Sequence, residues 1–254
     1  MWRSSGVVGR ALAASCRPRP PARPCPRPPP PPGPEPPRDL ALPNGGWSGA
    51  MRRQYRRLLD MAATGAWRRL PSYRSARHHL RAGPPPGDGH RPPPPAPPGP
   101  AAGPVEAPAT PRDTRLFLRA IDGDGDGFEY AMFLNAAERR LLCLFQPGPH
   151  LEGHPGLTHG GAIAAIIDST LGTCALAVAG RVMTANLSID YLAPVPLGAV
   201  LLLDGRAERL EGRKVFLSCH VRSADGDTLH ARATGLFIRP DPAKHRAQEG
   251  EGGR

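Results

Sequence analysis

Alternation of apolar and polar residues is sharpest in the second half of the chain. In VMTANLSIDYL (182–192) it places Met183, Ala185, Leu187, Ile189 and Tyr191 on one side of an extended strand, and Thr184, Asn186, Ser188 and Asp190 on the other. The pattern continues through AVLLLDGRAERL (199–210), KVFLSCHVRS (214–223) and TLHARATGLFI (228–238), with Glu211-Gly212 and Asp225-Gly226-Asp227 as turns. Upstream, FEYAMFLN (128–135) and RRLLCLFQ (139–146) predict a strand pair joined through Asn135–Glu138. Between these groups lies an apolar run without alternation, opened by His159-Gly160-Gly161, which reads as a single long helix. One helix among about six antiparallel strands predicts an α+β domain whose sheet wraps around the helix on all sides.

Asp168 does not fit that apolar run. An ionised carboxylate on an apolar helix costs several kcal/mol to desolvate unless it is paired or used. A helix starting at Gly160 or Gly161 offers unpaired backbone N–H groups and the positive end of its dipole. Such groups polarise a carbonyl oxygen and stabilise the oxyanion formed when water attacks. The water needs a base, and Asp168 is the only acid in the helix. Thr184 on the next strand is a candidate to orient the water or the carboxylate, and His159 completes the candidate set. The alternative is that Asp168 is a satisfied core acid and His159-Gly160-Gly161 an ordinary helix start. Eight residues separate Gly160 from Asp168, roughly 12 Å along a helix axis. One chain cannot bring both to one reacting group, so the reading implies a site shared across a two-fold axis.

Composition narrows the rest. Of 35 prolines, 13 fall in 18–37 and 13 in 84–111, which read as extended or disordered linkers. Residues 1–111 hold 17 Arg, no Lys and 5 acids, a net charge of +12; the remainder holds 16 basic and 17 acidic residues, −1. The folded half is therefore near neutral, which argues against a nucleic-acid-binding domain. Residues 1–34 carry six Arg and no acid, with small, apolar and Ser residues between Arg3, Arg10 and Arg17, the pattern of a mitochondrial presequence. The five cysteines, Cys16, Cys25, Cys143, Cys174 and Cys219, contain no C-x-x-C pair and read as reduced, mostly buried thiols.

Three further features allow more than one reading. An island at 47–81 holds Met51, Tyr55, Leu58, Leu59 and Ala62 near helical spacing, beside Arg52, Arg53, Arg56 and Arg57. It is either a solvated helix lying on the main domain or a basic amphipathic helix for a membrane surface or an acidic partner. Asp122, Asp124 and Asp126 copy the start of a calcium loop, but the twelfth position, which needs Glu, is Phe133. The run 160–180 is long enough to cross a bilayer, yet Asp168 in its middle and the flanking strands favour a globular setting. No G-x-S-x-G, P-loop or H-E-x-x-H is present, His154 and His159 are a weak metal signal, and the chemistry calls for no metal or cofactor.

HGGAIAAIIDSTLG, VMTANLSIDYLAPVPL and EGRKVFLSC, extended by WRRLPSY, GFEYAMF and LEGHPGLTHGG, together resemble the hot-dog acyl-CoA thioesterases. The resemblance runs from Asp113 to about Lys244, plus 47–75. It implies a hot-dog fold, hydrolysis of medium- and long-chain fatty acyl-CoA, a homodimer and a mitochondrial address. It also implies restraint of protein kinase B in the cytosol or at the plasma membrane; separately, the basic N-terminal region is a candidate peripheral membrane contact. The family's acid, helix-start amide and hydroxyl fall on Asp168, Gly160 and Thr184. CoA-contacting positions fall around Asp190, Leu192, Arg213, Ser218 and Cys219, with Lys214 beside them. Leu192 stands where the family pattern has a basic residue and Asp190 where it has an amide, leaving Arg213 and Lys214 as the clearest cations for CoA phosphates. The expected organisation is a leader at 1–34, proline-rich linkers flanking the island over 35–111, a hot-dog domain at 112–240 and a flexible tail at 241–254.

Overall fold

A computed structural model of the chain describes residues 37–75 and 114–241. The leader, the proline tracts apart from Pro37, the tail beyond 241, Cys16 and Cys25 lie outside the described residues. The elements in order are α1 (Gly49–Ala63), β1 (Arg68–Leu70), β2 (Phe128–Asn135), β3 (Arg140–Pro147), α2 (Gly160–Ala179), β4 (Met183–Tyr191), β5 (Leu201–Glu211), β6 (Lys214–Ser223) and β7 (Leu229–Ile238). All strands join one antiparallel sheet in the order β1-β2-β3-β5-β6-β7-β4, so it has seven strands rather than about six.

The added strand comes from the island. Three residues are too few to show a period, yet Arg68, Arg69 and Leu70 pair with Leu134, Phe133 and Met132. The helix before them is capped by Ser48, whose side chain accepts from the Met51 N–H. Its Met51, Tyr55 and Leu58, with Trp47, pack on Ala131, Phe133, Leu142 and Leu144 of the sheet. Of the two readings of the island, the structure has the helix lying on the domain, with Arg53, Arg56 and Arg57 left exposed. The folded unit thus takes in 37–75 as an arm as well as 114–241.

Polar contacts tie the arm down. Buried Glu129 accepts from Trp47 Nε1 at 2.8 Å, Asn44 Nδ2 at 2.9 Å and the Gly125 N–H at 2.7 Å. Gly46 crosses Gly125 so closely that a Cβ on it would lie 2.2 Å from the Gly125 backbone. Two of the three acids of the 122–126 loop meet arginines: Asp122 pairs with Arg74 and Arg115, and Asp124 with Arg38. Phe133, where a calcium loop would need its Glu, is a fully buried strand residue.

On its other face the sheet receives α2. Ile166, Ile167, Leu171 and Cys174 are fully buried there among Leu141, Phe145, Leu203 and Phe237. Apolar length alone would let α2 cross a bilayer, but this face is spent on the sheet. The expectation of sheet on all sides does not hold. Asp168, Ser169, Gly172 and Thr173 are only half-buried, and Leu176 is 54% exposed. The sheet does not close around the helix: β4 is its last strand and pairs with β7 alone. Cys143, Cys174 and Cys219 are free and buried. Burial pushes the Cys143 thiol up to about 12 and Cys174 to about 11, and raises Cys219 as well, so none is a nucleophile near neutral pH.

Candidate active site

The start of α2 is capped by the residue that precedes it. His159 is extended, and its Nδ1 accepts from the Gly161 N–H at 2.9 Å. An accepting Nδ1 carries no proton, so the neutral ring holds it on Nε2. The N–H groups of Ala162 and Ile163 both go to the His159 carbonyl. Of the four amides that open the helix, only that of Gly160 has no acceptor among the described residues. Tyr191, at the end of β4, donates its hydroxyl to the Gly160 carbonyl at 2.9 Å and fixes the first turn. A cavity of about 550 Å³ opens beside this amide, with Leu157, Ile163, Leu192 and Val195 among its walls.

Asp168 lies on the same helix but outside that cavity. Its Oδ1 accepts from Thr184 Oγ1 at 2.9 Å. Strict alternation would not have produced this bond. Thr184 lies opposite Phe237, which faces the helix, while Asn186 lies opposite Leu236, which does not. Ala185 is therefore an extra residue, and this β-bulge turns Thr184 onto the helix side while Asn186, Ser188 and Asp190 stay on the outer face.

The remaining candidates divide. Asp190 is ion-paired at 2.8 Å with Arg232, its neighbour across the ladder, so its charge is already neutralised. Leu192 is half-exposed at the cavity mouth. Arg213 pairs with Asp241 at 3.6 Å, and Lys214 is exposed beside it. The register Lys214–Ile238–Met183 puts both cations at the end of the sheet near the C-terminus of α2, away from Gly160. Ser218, on the outer face, donates to Glu208. Cys219 is corrected: its side chain is fully buried in the core, on the inward face with Val215, Leu217 and Val221, and reaches no ligand. The alternation of β6 already carried that signal. Tyr191 was missed as a site residue, because only the register of β4 brings its hydroxyl to Gly160.

One chain therefore assembles a cavity with a free amide, and separately a carboxylate with its hydroxyl, without joining them. The two halves are roughly 12 Å apart along α2. Their chemistries are complementary: a donor for a carbonyl oxygen, and a base for water.

Comparison with known proteins gives the family. The thioesterase superfamily profile matches residues 155–230, which include the helix start, Asp168 and Thr184. The chain is 46% identical over 206 residues to acyl-coenzyme A thioesterase THEM4 of Xenopus laevis, covering 81% of this chain and 82% of that protein. It is 43% identical over 216 residues to the Rattus norvegicus THEM4, covering 82% and 84%. With THEM5 of Homo sapiens the figures are 32% over 202 residues, covering 80% and 75%. A hot-dog sheet on one long helix, with identity of this depth along four-fifths of the chain, makes it a member of the thioesterase superfamily, among the acyl-coenzyme A thioesterases.

Proposed function

We propose that the protein hydrolyses medium- and long-chain fatty acyl-CoA to fatty acid and CoA, at two equivalent sites shared across a two-fold homodimer. The observation that carries this reading is the Thr184-held Asp168 on the open face of α2, too far from the Gly160 amide to share one substrate within a chain. The uncovered edge favours a second copy. On β4, Met183 is 61% and Tyr191 52% exposed, and its outer ladder edge is unpaired among the described strands. An antiparallel β4–β4 contact would bring the partner's Lys214 end toward Gly160, where Arg213 and Lys214 could meet CoA phosphates.

In each site the Gly160 N–H holds the thioester carbonyl oxygen. Asp168 of the other subunit takes a proton as the water oxygen bonds to the carbonyl carbon. The tetrahedral intermediate then collapses, the C–S bond breaks, and the proton held by Asp168 passes to the departing CoA sulfur. A steady-state assay on palmitoyl-CoA and myristoyl-CoA tests the reading. Turnover indistinguishable from Asp168→Asn would turn it instead to the second role, restraint of protein kinase B, for which the exposed arginines of α1 offer a surface.

Chain length is a separate test. If the acyl chain occupies apolar space beside α2, each buried methylene contributes about 0.8 kcal/mol. Efficiency on palmitoyl-CoA should then exceed that on acetyl-CoA at least tenfold, and equal values would exclude such a channel. We also propose a mitochondrial address. Residues 1–34 fused to a fluorescent protein should reach mitochondria, and replacing Arg3, Arg10 and Arg17 with Glu should abolish this. A diffuse signal from the unmodified fusion would remove the presequence.

A further inference from the structure

Two glycines open α2. Glycine gives up more backbone freedom than any other residue when it enters a helix, so a turn that begins Gly160-Gly161 frays readily. The His159 cap takes up the amides of Gly161, Ala162 and Ile163 but not that of Gly160. The amide that matters most to the chemistry therefore sits on the least secured residue of the helix.

Tyr191 supplies a hold that the helix itself does not require. Its hydroxyl donates to the Gly160 carbonyl at 2.9 Å, and its ring lies against Gly160, 3.7 Å from where a Cβ would stand. In an α-helix that carbonyl already accepts from the amide four residues on, so the tyrosine is a second donor to a satisfied oxygen. What the bond adds is position. The backbone behind it is pinned: the Leu192 and Ala193 amides both donate to the His230 carbonyl, at 2.8 and 3.1 Å, and the His230 ring meets the Pro194 carbonyl at 2.9 Å. Gly160 and Tyr191 both line the cavity.

We infer that Tyr191 is a positioning residue for hydrolysis: its hydroxyl and ring keep the first turn of α2 formed, so that the Gly160 N–H stays where the thioester carbonyl oxygen is held. This rests on the hydrolytic reading above and adds the residue that keeps its amide in place. An oxyanion is a stronger acceptor than the carbonyl of bound substrate, so a displaced amide costs the transition state more than the ground state and the effect falls on kcat rather than KM.

The full-length protein is assayed on palmitoyl-CoA as wild type, Tyr191→Phe, Gly160→Pro, the double variant and Asp168→Asn. Tyr191→Phe keeps the ring and removes the hydroxyl. It should lower kcat about tenfold, the scale of one hydrogen bond, with KM within about twofold and Tm within about 2 °C of wild type, since only a helix end loosens. In the Gly160→Pro background there is no amide to position, and adding Tyr191→Phe should change the residual kcat by less than about twofold. Wild-type kcat in Tyr191→Phe, while Asp168→Asn is inactive, would overturn the inference. So would a further tenfold loss in the proline background, because the tyrosine would then act on the substrate or the dimer and not through Gly160. Full activity of Asp168→Asn is a different result: the hydrolytic reading itself falls, and the positioning role with it.

Discussion

Asp168→Asn should lower kcat/KM by about 10²–10⁴, the usual contribution of a positioned general base, without unfolding the protein. The amide keeps an oxygen where Thr184 Oγ1 donates at 2.9 Å, so the contact between β4 and α2 survives while the proton acceptor is lost. Gly160→Pro should be comparably inactive. Residue 160 is the first helical position, where proline is tolerated, and His159 has the extended backbone (φ −61°, ψ 134°) that a following proline requires. It removes the free N–H and little else. Co-expression of the two variants separates a shared site from a single-chain one. With random mixing half the dimers are mixed, and each has one intact site, so about a quarter of wild-type activity should return. Mixed dimers that form and stay inactive would mean that acid and amide act within one chain.

Removing the carboxylate that holds the arm should have the largest effect on stability. Glu129→Leu strands three donors at once: Trp47 Nε1 and Asn44 Nδ2, which share Oε2, and the Gly125 N–H on Oε1. At about 1–3 kcal/mol for each buried donor left unmatched, the loss is about 3 kcal/mol or more. For a fold of this size that lowers Tm by about 10 °C. The arm should loosen first, uncovering Phe133, Leu142 and Leu144, so protease should cut within 37–75 before the sheet melts. Glu129→Gln, which keeps one acceptor oxygen, should fall between. A leucine variant with Tm within about 2 °C of wild type would show that hydrophobic packing of α1 alone secures the arm.

The sequence by itself determined the elements whose pattern repeats locally. The six strands from β2 to β7 fall within about two residues of their expected limits, because a side-chain period of two is written into every half-buried strand. The helix start at Gly160, the lone acid at Asp168 and the inference that one helix cannot hold both halves of a site follow from composition and from 1.5 Å per residue. Tertiary structure decided what depends on pairing. Alternation groups residues by side but names neither side, and a single extra residue reverses the grouping, so only the bulge at Ala185 could turn Thr184 toward Asp168. Register alone carried the Tyr191 hydroxyl to Gly160 and put Arg213 and Lys214 at the far end of the sheet. The strand at 68–70 exists because β2 offered an open edge, since three residues have no period to read.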